Sequence, residues 1–116
     1  MTATELETMC MGFRGATQDI KWGNDLCYSV GTKMFCVTSL QGMEHVSFKA
    51  TPEEFAELIE REGVIPAPYS ARNYWVLVND PRSLRPKEWK AYIQKSYSMI
   101  FEKLSKKVRN DILAKD

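Results

Sequence analysis

The sequence predicts an α+β fold, an antiparallel sheet of four or more strands with helices packed on it, and three observations carry that prediction. The stretch "DLCYSVGTKMFCVTS" holds two β-rich runs around Gly31-Thr32, where glycine supplies the positive φ of a two-residue hairpin turn. The segment "HVSFK" alternates, with Val46 and Phe48 inward and His45, Ser47 and Lys49 outward, as suits a sheet with one wet face. Apolar residues recur at helical spacing near both ends of the chain and after Thr51.

Taken in order, Leu6, Met9, Cys10 and Phe13 form one helical stripe behind a Thr2-x-x-Glu5 capping box, closed by Gly12 and Gly15. In "DIKWGND" the acids Asp19 and Asp25 flank Gly23 and Asn24; the residue types read as a turn more than as a cation loop, with Trp22 as a hydrophobic plug. A two-residue turn at Gly31-Thr32 pairs Val30 with Lys33, Tyr28 with Phe35 and Leu26 with Val37. The same register sets Cys27 opposite Cys36, where Cα atoms are about 4.5 Å apart, and the pair is expected to face each other as reduced thiols.

Thr51-Pro52-Glu53-Glu54 starts a second helix with an N-cap, proline at N1 and acid at N3; Phe55, Leu58 and Ile59 form its stripe and Gly63 ends it. Val64-Ile65 is expected to give a short strand, and Tyr74 to Val78, bounded by Asn79-Asp80-Pro81, another. In that strand Val76 and Val78 share a face, Trp75 and Leu77 the other, and either Tyr74 or Trp75 is expected in the core. After Pro86, Trp89, Ile93, Ser96/Tyr97, Ile100 and Leu104 mark a long helix, which Val108 and Ile112 extend or restart beyond Ser105.

With 116 residues, 44% hydrophobic and 27% charged, the chain fits one globular domain spanning residues 1–116. No window approaches the roughly 18 apolar residues of a membrane span, and the N-terminus has no apolar leader pattern, so a cytoplasmic protein without a membrane partner is expected. Three cysteines without a C-x-x-C pair suggest neither a disulfide framework nor a zinc site.

The net charge of +1 is unevenly placed: residues 1–70 carry 5 Lys/Arg against 10 Asp/Glu, and residues 71–116 carry 11 against 5. The run Arg85, Lys87, Lys90, Lys95, Lys103, Lys106, Lys107 and Arg109 reads first as the wet face of C-terminal helices. Catalytic chemistry has little foothold. His45 is the sole histidine, no H-E-x-x-H, G-x-S-x-G or phosphate-loop pattern occurs, and Cys36 with His45 lacks an orienting third group. No catalytic residue, metal site or organic cofactor is expected, and the chain is read as a non-enzyme.

Five stretches in order, "DIKWG", "YSVGTKMFCV", "VSFKATPEEF", "IPAPYSARNYWVLV" and "IQKSYSMIFEKLSKKVR", resemble the MmcQ/YjbR family of small bacterial proteins from about residue 4 to residue 109. The resemblance implies a double-wing, frataxin-like (CyaY-like) α+β architecture and a predicted DNA-binding role. Carried over by position, it points to Lys33 after the hairpin turn, Lys49 before the second helix and Arg72 with Trp75; Tyr97 and Lys103 match the C-terminal helix pattern. The chain departs from many members in lacking a histidine-asparagine-lysine run before the tryptophan, since "SARNYW" offers only Arg72.

From the residues themselves, Tyr69 and Arg72 precede the strand and suit stacking on, or pairing with, an anionic partner, although a tyrosine under a proline turn more often covers a core. With the positions that the resemblance implies, the expected nucleic-acid face is Lys33, Lys49, Tyr69 and Arg72, with duplex DNA as partner. The alternative is a protein-interaction adaptor that uses an exposed sheet or helix face.

Overall fold

The computed structural model describes residues 1–68 and 70–115. Helix α1 (Ala3–Met11) starts at the capping box: the Thr2 hydroxyl accepts from the Glu5 amide at 3.1 Å, and the Glu5 carboxylate accepts from the Thr2 amide at 2.9 Å. There follow β1 (Ala16–Lys21), β2 (Asp25–Val30), β3 (Lys33–Ser39), β4 (Gly42–Lys49), α2 (Pro52–Leu58), β5 (Val64–Pro66), β6 (Trp75–Val78), α3 (Pro86–Glu102) and α4 (Lys106–Ala114). Short 3₁₀ turns at Ala71–Asn73 and Pro81–Ser83 flank β6. The strands form one six-stranded antiparallel sheet in the order β1-β2-β3-β4-β6-β5.

The helices pack on one face of this sheet because strand alternation aims one apolar row at them. Tyr28, Cys36, Phe48 and Val76 lie side by side across the central strands, with Val46 and Val78 beside them. Leu6 and Cys10 of α1, Leu58 of α2, and Trp89, Ile93 and Ile100 of α3 close over that row in a single buried cluster. The opposite row holds Cys27, Val37, Ser47, Leu77 and Trp75.

The β2–β3 hairpin departs from the predicted register. Val30↔Lys33 and Ser29↔Met34 pair as expected, but a bulge then makes Tyr28 oppose Cys36 and Cys27 oppose Val37. Phe35 is the residue left over, and the bulge turns both Phe35 and Cys36 into the core, each fully buried. Cys27 and Cys36 therefore do not face each other. The thiol beside Cys36 is Cys10 of α1, and a hydrogen bond with it, together with complete burial, pushes the Cys36 thiol well up. All three cysteines are free and buried.

A bulge leaves its extra residue unpaired in the ladder, so the Phe35 carbonyl needs a partner from outside the sheet. Ser96, fully buried on α3, donates to it at 2.7 Å and accepts from the Lys49 amide at 3.0 Å. One hydroxyl thus pins α3 to both β3 and β4.

Other departures are local. Residues 16–21 form an edge strand that the sequence did not announce, because the interior of β1 is exposed along both rows and has no apolar alternation. Trp22 is no plug: it stands 70% exposed in the β1–β2 turn, with φ +53°. Helix α2 ends at Leu58, and Gly63, φ +87°, serves the later turn into β5. Tyr74 lies outside β6 in the left-handed region, 40% exposed with its ring edge-on to Phe55, and Trp75 is half-buried, so neither is core.

Arg61 grips Glu88 with two hydrogen bonds of 3.0 and 2.7 Å, and Glu88 also accepts from the Arg85 amide at the start of α3. These bonds, the Arg61 guanidinium first, bring the Glu88 carboxyl down to about 2 from 4.5. Because the folded value lies below the unfolded one, this stabilisation is complete above about pH 4.5 and is lost as pH falls toward about 2. Glu88→Gln should lose about 1–2 kcal/mol at pH 7 and show a shallower fall in stability between pH 4.5 and 2. Urea unfolding of both proteins across that range checks it; parallel curves would remove the pair from the acid limb.

Among the described residues, no helix is long and apolar enough to cross a membrane.

Candidate nucleic-acid interface

Gly31 and Thr32 both take positive φ, +55° and +69°, the pair that a type I′ two-residue hairpin turn demands. Glycine is required there for a second reason. A Cβ on Gly31 would lie 2.7 and 2.9 Å from the two Leu104 methyls and 3.1 Å from Val108. The hairpin tip therefore sits directly on the junction between α3 and α4, where Ser105 caps α4 by accepting from the Val108 amide.

This contact brings cations from distant parts of the sequence to one end of the sheet. Lys33 leaves the tip exposed; Lys103 caps α3, and Lys106 and Lys107 open α4, all exposed. On the neighbouring strands the same end carries Lys49, last residue of β4, and Arg72 in the 3₁₀ turn before β6. Lys49, Arg72 and Lys103 line one recess of about 410 Å³, with Glu102 as its carboxylate and Tyr74 and Met99 as apolar wall. The four ion pairs among the described residues, Arg61–Glu57, Arg61–Glu88, Arg82–Asp80 and Lys95–Glu54, include none of these cations.

Of the sequence-predicted face, Lys33 and Arg72 are exposed as expected. Lys49 is not a surface cation: it is 8% exposed, and its ammonium donates to the Asn73 carbonyl at 2.7 Å. Its register sets it on the row opposite Phe48, but the 71–74 turn folds over its side chain and takes up its charge. Burial, and then the Lys103 charge beside it, hold the Lys49 ammonium below the usual lysine range. Tyr69 lies outside the described residues.

The remaining residues matched by position have other work. The Tyr97 hydroxyl donates to the Arg14 carbonyl at 2.6 Å, and its ring stacks on Phe13 at 4.5 Å, which ties α3 to the segment after α1. Trp75 borders a groove of about 830 Å³ that also touches Met34, Val37, Ser70 and the exposed Trp22. His45 is exposed, with Nδ1 3.0 Å from the Asn79 side-chain oxygen. No cluster of three or more His, Cys, Asp or Glu side chains suited to a metal occurs among the described residues.

The convergence of Lys103, Lys106 and Lys107 on Lys33 was not visible in the sequence, where they read as a wet helical face. The one local sign of it is the glycine at the hairpin tip, and its packing role exists only once α4 is in place.

The chain is similar in structure to the Deinococcus radiodurans protein DR2400, of domain DUF419, with a TM-score of 0.83 and 18% identity over 94% of this chain and 86% of that one. It is also similar to a protein from Pseudomonas syringae, with a TM-score of 0.67 and 17% identity over 86% of this chain and 99% of that one. No curated protein matches the chain. Both likenesses concern the fold, and the α+β sheet with its overlying helices is what they share. Membership rests on the sequence itself: residues 11–99, from the end of α1 to near the end of α3, match the YjbR family model, and the chain belongs to the YjbR family.

Proposed function

We propose that this YjbR protein is a non-enzymatic, cytoplasmic DNA-binding module that meets duplex phosphates with the basic end of its sheet. The observation that carries the reading is the seating of the Gly31 tip on Leu104 and Val108. It brings Lys33 to the α3–α4 junction that carries Lys103, Lys106 and Lys107, so part of the positive charge of the C-terminal third lies at the same end of the sheet as Arg72. Long cations on rigid loop edges suit phosphates, which fix register without reading sequence. A net charge of only +1 makes such binding depend on this local patch.

A fluorescence-anisotropy titration of a duplex at several salt concentrations tests the proposal. The unaltered protein should bind with a log-log salt slope of about −0.9 per phosphate contact. Lys33→Ala with Arg72→Ala should weaken binding alike for all sequences and remove about one contact each from the slope, while stability stays within about 0.5 kcal/mol. A double variant that binds as tightly as the unaltered protein would exclude this face.

A second reading has its own observation. Trp22, 70% exposed beside the groove bordered by Met34, Val37 and Trp75, suits a protein partner on the sheet row opposite the helices. If duplex titration gives no salt-dependent binding while Trp22→Ala abolishes capture of one stoichiometric protein, the adaptor reading replaces the first.

A further inference from the structure

The geometry points to a phosphomonoester site in the recess formed by Lys49, Arg72 and Lys103, which goes beyond duplex binding and does not rest on it. The recess, about 410 Å³, is within the size range of small-ligand sites and too large for a bare ion to fill. Its lining joins two chemistries: Lys49, Arg72 and Lys103 supply cations, and Tyr74, Met99 and Pro52 supply apolar surface. A dianionic head with a compact organic group attached uses both, whereas a bare phosphodiester would leave the apolar residues unused.

The cations are placed at a cost that an anion would offset. Lys49 is 8% exposed, and burial first, then the neighbouring Lys103 charge, disfavour its ammonium. Neither lysine has a carboxylate within ion-pair distance among the described residues, although Glu102 borders the recess. The buried Lys49 ammonium beside the Lys103 charge is favoured when something anionic binds between them.

The recess is also held in shape before any ligand arrives. Lys49 donates to the Asn73 carbonyl at 2.7 Å, the Ala50 amide donates to the Tyr74 carbonyl at 2.9 Å, and the Tyr74 amide donates to Ala71 at 2.9 Å. Tyr74 is kept at φ +65°, a conformation that a bulky side chain adopts only when its surroundings impose it. Phe55 supports the ring edge-on at a centroid distance of 5.7 Å. Three of the ligand-facing residues, Lys49, Asn73 and Tyr74, are thus locked together. Lys103 and Arg72, both exposed and outside these bonds, are the arms that close on the phosphate.

The same chemical group comes free, as a small phosphomonoester, or attached, as the 5′-phosphate of a nucleic-acid strand. The experiment is an amide-resolved NMR titration of the full chain with phenyl phosphate. Saturable shifts should centre on Lys49, Ala50, Asn73, Tyr74 and Lys103, and Lys103→Ala should weaken the binding by about tenfold or more, as loss of a charge-assisted partner does. Among the described residues Lys103 makes no side-chain hydrogen bond or ion pair, so its variant should keep the remaining spectrum; Lys49, which holds Asn73, is left intact. A second arm compares a short DNA strand with and without its 5′-phosphate. A preference of about tenfold for the phosphorylated strand assigns the attached source, and equal binding with phenyl phosphate retained assigns the free one. Shifts spread equally over Lys106 and Lys107, or an unchanged titration of Lys103→Ala, overturn the site. Loss of duplex binding with phenyl phosphate binding intact would refute the DNA module and leave this site standing.

Discussion

Trp89→Ala is expected to cost about 3–5 kcal/mol, the range for deleting a fully buried large aromatic side chain. Trp89 is completely inaccessible on α3 and meets Phe48 edge-on at 6.2 Å, so it fills the seam between that helix and β4. Its indole N–H also donates to the Pro81 carbonyl at 3.0 Å, which anchors the turn leading from β6 into α3. Truncation therefore leaves a cavity and an unpaired carbonyl together. A domain of this size is stable by about 5–15 kcal/mol in total, so the variant should sit near the edge of folding, with a midpoint lower by on the order of 15 °C. Trp89→Phe keeps most of the volume and loses only the hydrogen bond, for about 1–2 kcal/mol beyond the smaller repacking loss. Urea unfolding followed by far-ultraviolet circular dichroism gives both values. A loss below 1 kcal/mol for the alanine variant would mean that the seam collapses onto the gap and that the core lies elsewhere.

Ser96→Ala should cost about 2–4 kcal/mol although it removes a single oxygen. The hydroxyl has two buried clients, the Phe35 carbonyl at 2.7 Å and the Lys49 amide at 3.0 Å, and neither has water to turn to. Losing one hydrogen bond in water costs little, but leaving two buried backbone groups without partners costs each its desolvation. The effect should also reach the phosphate recess, since the Lys49 amide positions the lysine whose ammonium holds Asn73. Hydrogen exchange of the Lys49 amide separates the two consequences: it should quicken well beyond the change expected from global stability. A Ser96→Ala protein within 0.5 kcal/mol of the unaltered one, with that amide still protected, would show that other groups satisfy the bulge.

Most of the elements were legible from the residues, and for physical reasons. Thr2 and Thr51 each stand three residues before a glutamate, and both capping boxes form. Trp89, Ile93, Ser96 and Ile100 fall on one helical stripe because 3.6 residues make a turn, and all four are buried. Val46 and Phe48 face the core because strand side chains alternate. Legibility failed where a local rule had a tertiary competitor. The hairpin register follows from its turn for two pairs only, after which the bulge at Phe35 takes over, and with it the partner of Cys36 changes from Cys27 to Cys10. Strand β1 left no pattern because it buries no row, and Trp22 read as a plug because a tryptophan's apolarity says nothing about whether a surface waits for it.

The candidate site divides along the same line. Sequence alone determined that Lys33 would be exposed at a tight hairpin tip, since Gly31-Thr32 can hardly be anything else between two β-rich runs, and that the basic residues of the C-terminal third would stand on amphipathic helices. Only the tertiary structure decided which cations share a surface. Seating the glycine tip against Leu104 joins residue 33 to residues 103–107, a proximity that no periodicity encodes because it is set by packing across the fold. It decided Lys49 as well. Strand alternation turns that side chain away from the core, but the 71–74 turn covers it, and an ammonium so covered must find a carbonyl or an anion, because a charge removed from water is tolerated only when something else takes water's place.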